Sequence, residues 1–320
     1  SYMVPSYIMQ LVVMPLTTNG KIDRSVLPKP SMGSSFDYSP PRNDIERQLV
    51  KAWTEVLGVE KLGINDNFFD LGGDSIKAIR ITSKLQNYGY KLEVKDLFNF
   101  GSIKELSGKV VPYTNVISQE EVTGEAPLIP IQRLFFENDL TNMHHWNQSV
   151  MIYNKDGFQE NVIKHVLNEL IKHHDVLRMV YLKNKGTITQ VYRKSNTKLL
   201  DLQVKDYQSC ENYKDKIKKC SEEIQSSIDL ENGPLVKAGL FRTSEGDYLL
   251  IAIHHLVIDG VSWRILFEDF ADSYNKVLNG EEIVLQGKTN SFKDWGLYLQ
   301  KLAKSEDFQN EIFYWKKIEE

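Results

Sequence analysis

Cysteine is scarce. The 320 residues hold two, Cys210 and Cys220, in a polar, lysine-rich segment. They have no metal-ligand spacing and read as free thiols of a reducing compartment, the cytoplasm. An excess of basic charge is also missing. Thirty-nine Lys and Arg stand against 43 Asp and Glu, net −4. With no surplus to neutralise phosphates, a nucleic-acid partner is excluded. No apolar run approaches the roughly 18 residues of a membrane span. The first residues lack a basic flank followed by an apolar core, so no signal peptide is read. There is no internal repeat and no low-complexity tract.

What is present suits packed domains. Apolar residues make 41% and charged residues 26% of the chain, the balance of a globular protein. At roughly 100–200 residues per domain, two or so are expected. The chain opens on Ser1-Tyr2 and stops in the apolar-periodic FYWKKIEE, so a piece of something longer is expected. Residues 1–28 hold a strand-like run, YIMQLVV at 7–13, and a tight-turn pair, Asn19-Gly20. Residues 29–43 are rich in Pro, Ser and Gly and read as a linker. Residues 44–110 read as a small helical bundle. Ile45, Leu49, Trp53 and Val56 make one apolar stripe, and Gly58 can stop that helix. Phe68 and Phe69 read as loop anchors, a second helix runs from about Ser75 to Tyr88, and Ser102 opens a last one. Residues 111–126 read as a second linker. From 127 to 320 helical runs such as 160–173 alternate with strand-like runs such as 247–258. That texture is a layered α/β or α+β domain.

LGGDSIKAIRI, residues 71–81, raises the sharpest question. Two glycines allow a sharp turn, and Asp74 or Ser75 can cap the helix that follows. Capping does not exhaust the stretch. On a 100° wheel Ala78, Ile81, Thr82 and Leu85 face the bundle, while Ile76, Arg80, Ser83 and Lys84 face away. An outward Ile76 beside Arg80 suits docking of a partner. A hydroxyl at a helix N-terminus also suits a phosphate group.

Three histidine pairs occur: His144-His145, His173-His174 and His254-His255. None has zinc-site spacing, and no metal is expected. The last pair closes an apolar run that reads as a buried strand. Side chains alternate faces, so one histidine can be buried while the other faces a cleft. A histidine at a strand end is placed for proton transfer, because its pKa lies near working pH. On the residues alone, structural histidines and an acid–base histidine both remain open.

DNFFDLGGDSIKAI closely resembles the attachment motif of peptidyl carrier proteins in nonribosomal peptide synthetases. The resemblance implies a small all-α four-helix carrier bundle. It implies that Ser75 holds a covalent 4′-phosphopantetheine, taken from coenzyme A and installed by a phosphopantetheinyl transferase. PLTTNGKIDR resembles the last core motif of the adenylation domains of the same enzymes. By that resemblance Lys21 would contact the oxygens of an acyl-adenylate, and residues 1–28 are the remnant of a mobile lid. No nucleotide-binding core accompanies them, so adenylation by this chain is not expected.

HHLVIDGVSWRIL, 254–266, is similar to the HH-x-x-x-DG motif of condensation-type domains, which have a chloramphenicol-acetyltransferase-like α/β fold of two lobes. The ending DGVSW looks like the epimerization subgroup, where peptide-bond-forming members usually read DGWS. PLIPIQRLFF, HHWNQSV and HHDVLRMVY agree, and GGDSI is the carrier form found before epimerization domains. The resemblance implies that His255 is a catalytic acid/base and that His254 and Asp259 are structural. Asp259 is expected to pair with Arg178. It implies inversion of the α-carbon of an aminoacyl or peptidyl thioester, with no pyridoxal phosphate. The glutamate that partners the histidine in the family is not found and is expected beyond Glu320. The lobe would then be incomplete, and the chain able to accept the arm at Ser75 but not to epimerize. Expected partners are the rest of its own synthetase, namely the adenylation core and the second lobe, and a downstream condensation domain. Two alternatives stay open: a carrier with a peptide-bond-forming condensation domain, and a non-catalytic interaction module.

Overall fold

A computed structural model describes residues 10–11, 13–16, 21–23, 26–27, 38–113, 117–138 and 140–319. The chain divides into two compact units, Ser1–Val116 and Ile117–Glu320.

Among its described residues the first unit holds four helices: α1 Asp44–Leu57, α2 Ser75–Asn87, α3 Val94–Asn99 and α4 Ile103–Leu106. Asn43 caps α1 by accepting from the Glu46 amide at 2.8 Å, and Gly58 ends it at φ +71°. The stripe on α1 buries Leu49 and Trp53 completely. They meet Ala78, Ile81 and Leu85 of α2 and Phe68 of the long loop. Trp53 and Phe68 sit 5.3 Å apart at a tilted angle. Truncating a side chain like Trp53 costs about 3–5 kcal/mol, which makes this pair the centre of a small core. α3 escaped the sequence reading because six residues are too few for a period to emerge. Phe69 is not a buried anchor. It is partly exposed and stacks outside Phe68 and against Phe98. Lys84 does not face away freely either, because its Nζ lies 2.5 Å from the Glu55 carboxylate of α1.

Two short strands close this unit, β1 Tyr90–Lys91 and β2 Val111–Pro112, paired antiparallel. Part of the segment 111–126 is therefore ordered pairing where a linker was expected. The strand expected at 7–13 lies largely outside the described residues, as do the Asn19-Gly20 turn and residues 29–37. Leu16 and Ile22 form an isolated antiparallel bridge, and Lys21 lies exposed beside Ile22.

The second unit begins with β3 Gly124–Ala126 and α5 Pro130–Glu137. β4 Asn147–Asn154, α6 Glu160–His173, β5 Met179–Asn184, β6 Thr187–Tyr192 and β7 Asp201–Asp206 follow. Next come α7 Tyr213–Ser226, β8 Val236–Thr243, β9 Gly246–His254, α8 Gly260–Leu278, α9 Phe292–Leu302 and α10 Glu306–Glu319. The main sheet has the order β4-β9-β8-β7. It is antiparallel except for the parallel β7–β8 pair. A second sheet, β3-β6-β5, is antiparallel throughout.

Alternation along the central strands sets the layers. Ala238 and Leu240 of β8, with Leu249, Ile251 and Ile253 of β9, join the cluster of Ile163, Val166 and Leu170 from α6 and Leu266 and Phe270 from α8. Phe241 and Leu250 point the other way, to Tyr213, Ile217 and Ile224 of α7. Gly239 lies under α7 so closely that a Cβ there would meet Ile224 at 2.6 Å. Helices on both faces explain why β9 reads as an unbroken apolar run instead of an alternating one. Among the described residues no helix is long and apolar enough to cross a membrane.

Candidate functional site

The first candidate is Ser75. The cap of α2 is Asp74: one carboxylate oxygen accepts from the Ile76 amide at 2.9 Å and the Lys77 amide at 2.8 Å. Ser75 is the first helical residue, exposed, and its hydroxyl makes no hydrogen bond among the described residues. The capping role belongs to its neighbour, which leaves the hydroxyl available. The two glycines before it serve different needs. Gly72 takes φ +79°, open to glycine at little cost. Gly73 packs on Phe68, where a Cβ would fall 2.5 Å from the carbonyl oxygen and 2.6 Å from the ring. Lys77 Nζ donates to the Gly72 carbonyl at 2.8 Å and ties the turn to the helix.

Of the two docking candidates, Ile76 and Arg80 are both half-buried. The more exposed apolar side chain is Ile79, at 44%, which the sequence reading passed over. An uncommitted hydroxyl at the first turn of a 13-residue helix fits a phosphodiester. The helix dipole favours negative charge there, and the hydroxyl has no hydrogen bond to give up.

The second candidate lies at the end of β9, and the strand geometry separates the two histidines. His254 is fully buried. Its Nε2 donates to the Met143 carbonyl at 2.8 Å, and its Nδ1 accepts from the Leu256 amide at 3.2 Å. Burial drives its pKa down to about 4. A neutral ring with both nitrogens spent on backbone is a structural part. His255 follows the last sheet residue and is exposed. Its amide donates to the Trp146 carbonyl at 2.9 Å, which fixes the backbone. Its Nδ1 donates to the Ile258 carbonyl at 2.8 Å, since a carbonyl can only accept. The lone pair therefore sits on Nε2, which approaches the Gln148 side-chain nitrogen at 3.2 Å. Gln148 was not picked out from the sequence. It comes from β4, and only the β4–β9 register brings it near.

His255 borders a cavity of about 560 Å³ whose walls are mainly apolar, with Ile131, Leu134, Phe135, Trp146 and Phe292 among them. Asp259 also borders it, but as the cap of α8. Its carboxylate accepts from the Val261 amide at 3.1 Å, and from the Ser262 amide and hydroxyl at 2.7 Å. Burial pushes the Asp259 carboxyl up, and these hydrogen bonds outweigh it and hold it below the usual range. The expected Arg178–Asp259 pair does not form. Arg178 is fully buried shortly after α6, bound to Asp175 and, at 3.2 Å, to the Val122 carbonyl. Lys288 Nζ reaches the other oxygen of Asp175 at 2.8 Å. Arg178 thus holds the incoming segment at 121–122 to the lobe, with Glu121 3.6 Å from its Nη1 and the Val122 carbonyl on its Nη2.

Two further histidines are engaged elsewhere. His144 Nδ1 accepts from the Leu230 amide at 3.0 Å, and His174 Nε2 lies 2.9 Å from Asp269. Among the described residues no group of three or more His, Cys, Asp or Glu is placed to hold a metal ion.

A small helical unit with an exposed serine at a helix start precedes an α/β lobe with a histidine on the rim of its cavity. Residues 122–320 match the condensation-domain family, and residues 47–110 match the phosphopantetheine attachment site. The chain belongs to the condensation-domain family, with a phosphopantetheine-binding carrier ahead of it, and is homologous to nonribosomal peptide synthetases. The carrier holds 4′-phosphopantetheine covalently.

Gramicidin S synthase 1 of Brevibacillus brevis is 49% identical over 98% of this chain, and tyrocidine synthase 2 of Brevibacillus parabrevis 46% over all of it. The chain spans 29% and 9% of their lengths. Among solved structures, the epimerization domain from the third module of tyrocidine synthetase B matches at 48% identity and TM-score 0.62. That match covers 63% of this chain and 46% of that one. The first condensation domain of the CDA synthetase shares the fold at 15% identity, TM-score 0.50, over 61% of this chain and 49% of that one.

Proposed function

We propose that this segment carries an aminoacyl or peptidyl thioester on an arm at Ser75 and presents it for inversion from L to D at the α-carbon. Residues 44–110 are the carrier, residues 127–320 belong to the epimerization-type lobe, and residues 1–28 with Lys21 are the end of an adenylation lid. The observation that carries the reading is the His255 geometry. Its Nδ1–H is committed to Ile258, so Nε2 holds the lone pair beside the cavity. A lone pair so placed can accept the α-proton that a thioester carbonyl acidifies. The charge developing on the thioester oxygen needs hydrogen-bond donors, and a second group must return a proton to the opposite face. Identity of 48% to an epimerization domain, against 15% to a condensation domain of the same fold, favours inversion over amide formation. Partners on this reading are a phosphopantetheinyl transferase, the adenylation core, the remainder of the epimerization domain and a downstream condensation domain.

The test has two arms. Coenzyme A, Mg²⁺ and a broad phosphopantetheinyl transferase should add one arm by intact mass, and Ser75→Ala should add none. The chain is then joined in frame to the part of the tyrocidine epimerization domain that it does not cover. Loaded with an L-amino acid, that protein should release D-residue, and His255→Ala should not. A new amide in place of the D-residue would establish the condensation reading. An unmodified Ser75 in folded protein would return the bundle to an interaction module.

A further inference from the structure

His255 Nε2 has a fixed neighbour, and that neighbour is itself held. The Gln148 side-chain nitrogen lies 3.2 Å from Nε2, and its oxygen accepts the Trp263 indole N–H at 2.8 Å. The indole can only donate, so it dictates which end of the amide faces the histidine. Rotating the amide would set two donors nose to nose at Trp263. Trp263 cannot readily yield: it is 7% exposed at the start of α8 and stacks on Phe267 at 5.1 Å. Gln148 is set by register, because it pairs with Ile253, two residues before His255.

We infer that Gln148 and Trp263 are positioning residues for His255, aiming an amide N–H at its Nε2 lone pair so that the neutral ring is the form the site matches. This rests on the reading of His255 as the acid–base group. The chemistry has a consequence for a reversible inversion. When Nε2 takes a proton, its N–H faces the Gln148 NH₂, donor against donor, and the fixed amide cannot turn its oxygen to help. The proton on Nε2 then gains no acceptor from Gln148 and is left facing the substrate, as a step that runs in both directions requires. The serine and tryptophan of VSW are then divided in their tasks: Ser262 completes the Asp259 cap, and Trp263 orients Gln148.

The test is the imidazole ¹⁵N spectrum of the full chain at about pH 7.5, above the ordinary histidine range. The expected wild-type signal of His255 is the neutral ring protonated on Nδ1. Gln148→Glu keeps an acceptor for Trp263 and places a carboxylate oxygen on Nε2, so His255 should carry protons on both nitrogens at the same pH. Trp263→Phe keeps the stacking and frees the amide, so a doubly protonated population should appear beside the neutral one. A wild-type ring protonated on Nε2, or spectra unchanged in both variants, would overturn the inference. If Gln148→Glu does not fold, Trp263→Phe decides alone. The underlying reading fails separately: retained D-residue formation in His255→Ala of the joined protein would remove it, whatever the spectra show.

Discussion

Replacing Asp259 tests whether the aspartate of the DG pair is a helix cap or an ion-pair partner. Asp259→Ala removes three hydrogen bonds at the start of the 19-residue α8, to the Val261 amide, the Ser262 amide and the Ser262 hydroxyl. A lost cap costs about 1–2 kcal/mol, and a lost negative charge at a helix N-terminus about 0.3–1. The expected total is about 1.3–3 kcal/mol. Asp259→Asn keeps an acceptor oxygen and should cost only the charge part. The linkage has a definite sign. The folded carboxyl is held below its ordinary value of about 3.9. Its stabilisation is therefore full above that pH and is lost as pH falls through the lower folded value. The stability gap between the wild type and Asp259→Asn should close in acid. The assay is hydrogen exchange of the α8 amides, with Arg178→Lys as the second arm of a double-mutant cycle. Arg178 and Asp259 share no hydrogen-bond partner, so coupling should stay within about 0.5 kcal/mol. A larger coupling, or Asp259→Asn as costly as Asp259→Ala, would refute the cap.

At the carrier, Ser75→Ala should leave thermal stability within about 0.5 kcal/mol, while Asp74→Ala should cost about 1. Calorimetry of the two variants checks it, and a reversed order would make Ser75 the cap. His254 is buried neutral with its pKa near 4, against 6.5 unfolded. The unfolded state binds the extra proton, so His254 should destabilise the second unit progressively as pH falls from about 6.5 to 4, by roughly 3 kcal/mol in all. Denaturant midpoints across that window check it. A His254→Asn variant should show a flatter profile, and an equally steep one would place the proton elsewhere.

The parts legible in the sequence are those governed by local spacing. The α1 stripe of Leu49, Trp53 and Val56, the inward face of α2, and the helix at 160–173 are periodic over enough residues to be read. The opposite fates of His254 and His255 follow from the two-residue repeat of a strand, although the strand stops at His254, short of the expected 258. The family motifs at 66–79 and 254–266 are contiguous, and so is the chemistry they suggest. What failed or went unseen depends on residues far apart in the chain. Arg178 looked free for Asp259 because nothing local reveals that Asp175, Val122 and Lys288 converge on one buried spot. A buried guanidinium must be satisfied by whichever acceptors the fold brings to it. Gln148 meets His255 only through the β4–β9 register, and Trp263 meets Gln148 only because α8 packs over that strand end. Sequence by itself determined which residues can do the chemistry. The tertiary structure decided which nitrogen of His255 holds the lone pair and what faces it, because hydrogen-bond direction is set by neighbours that only folding assembles.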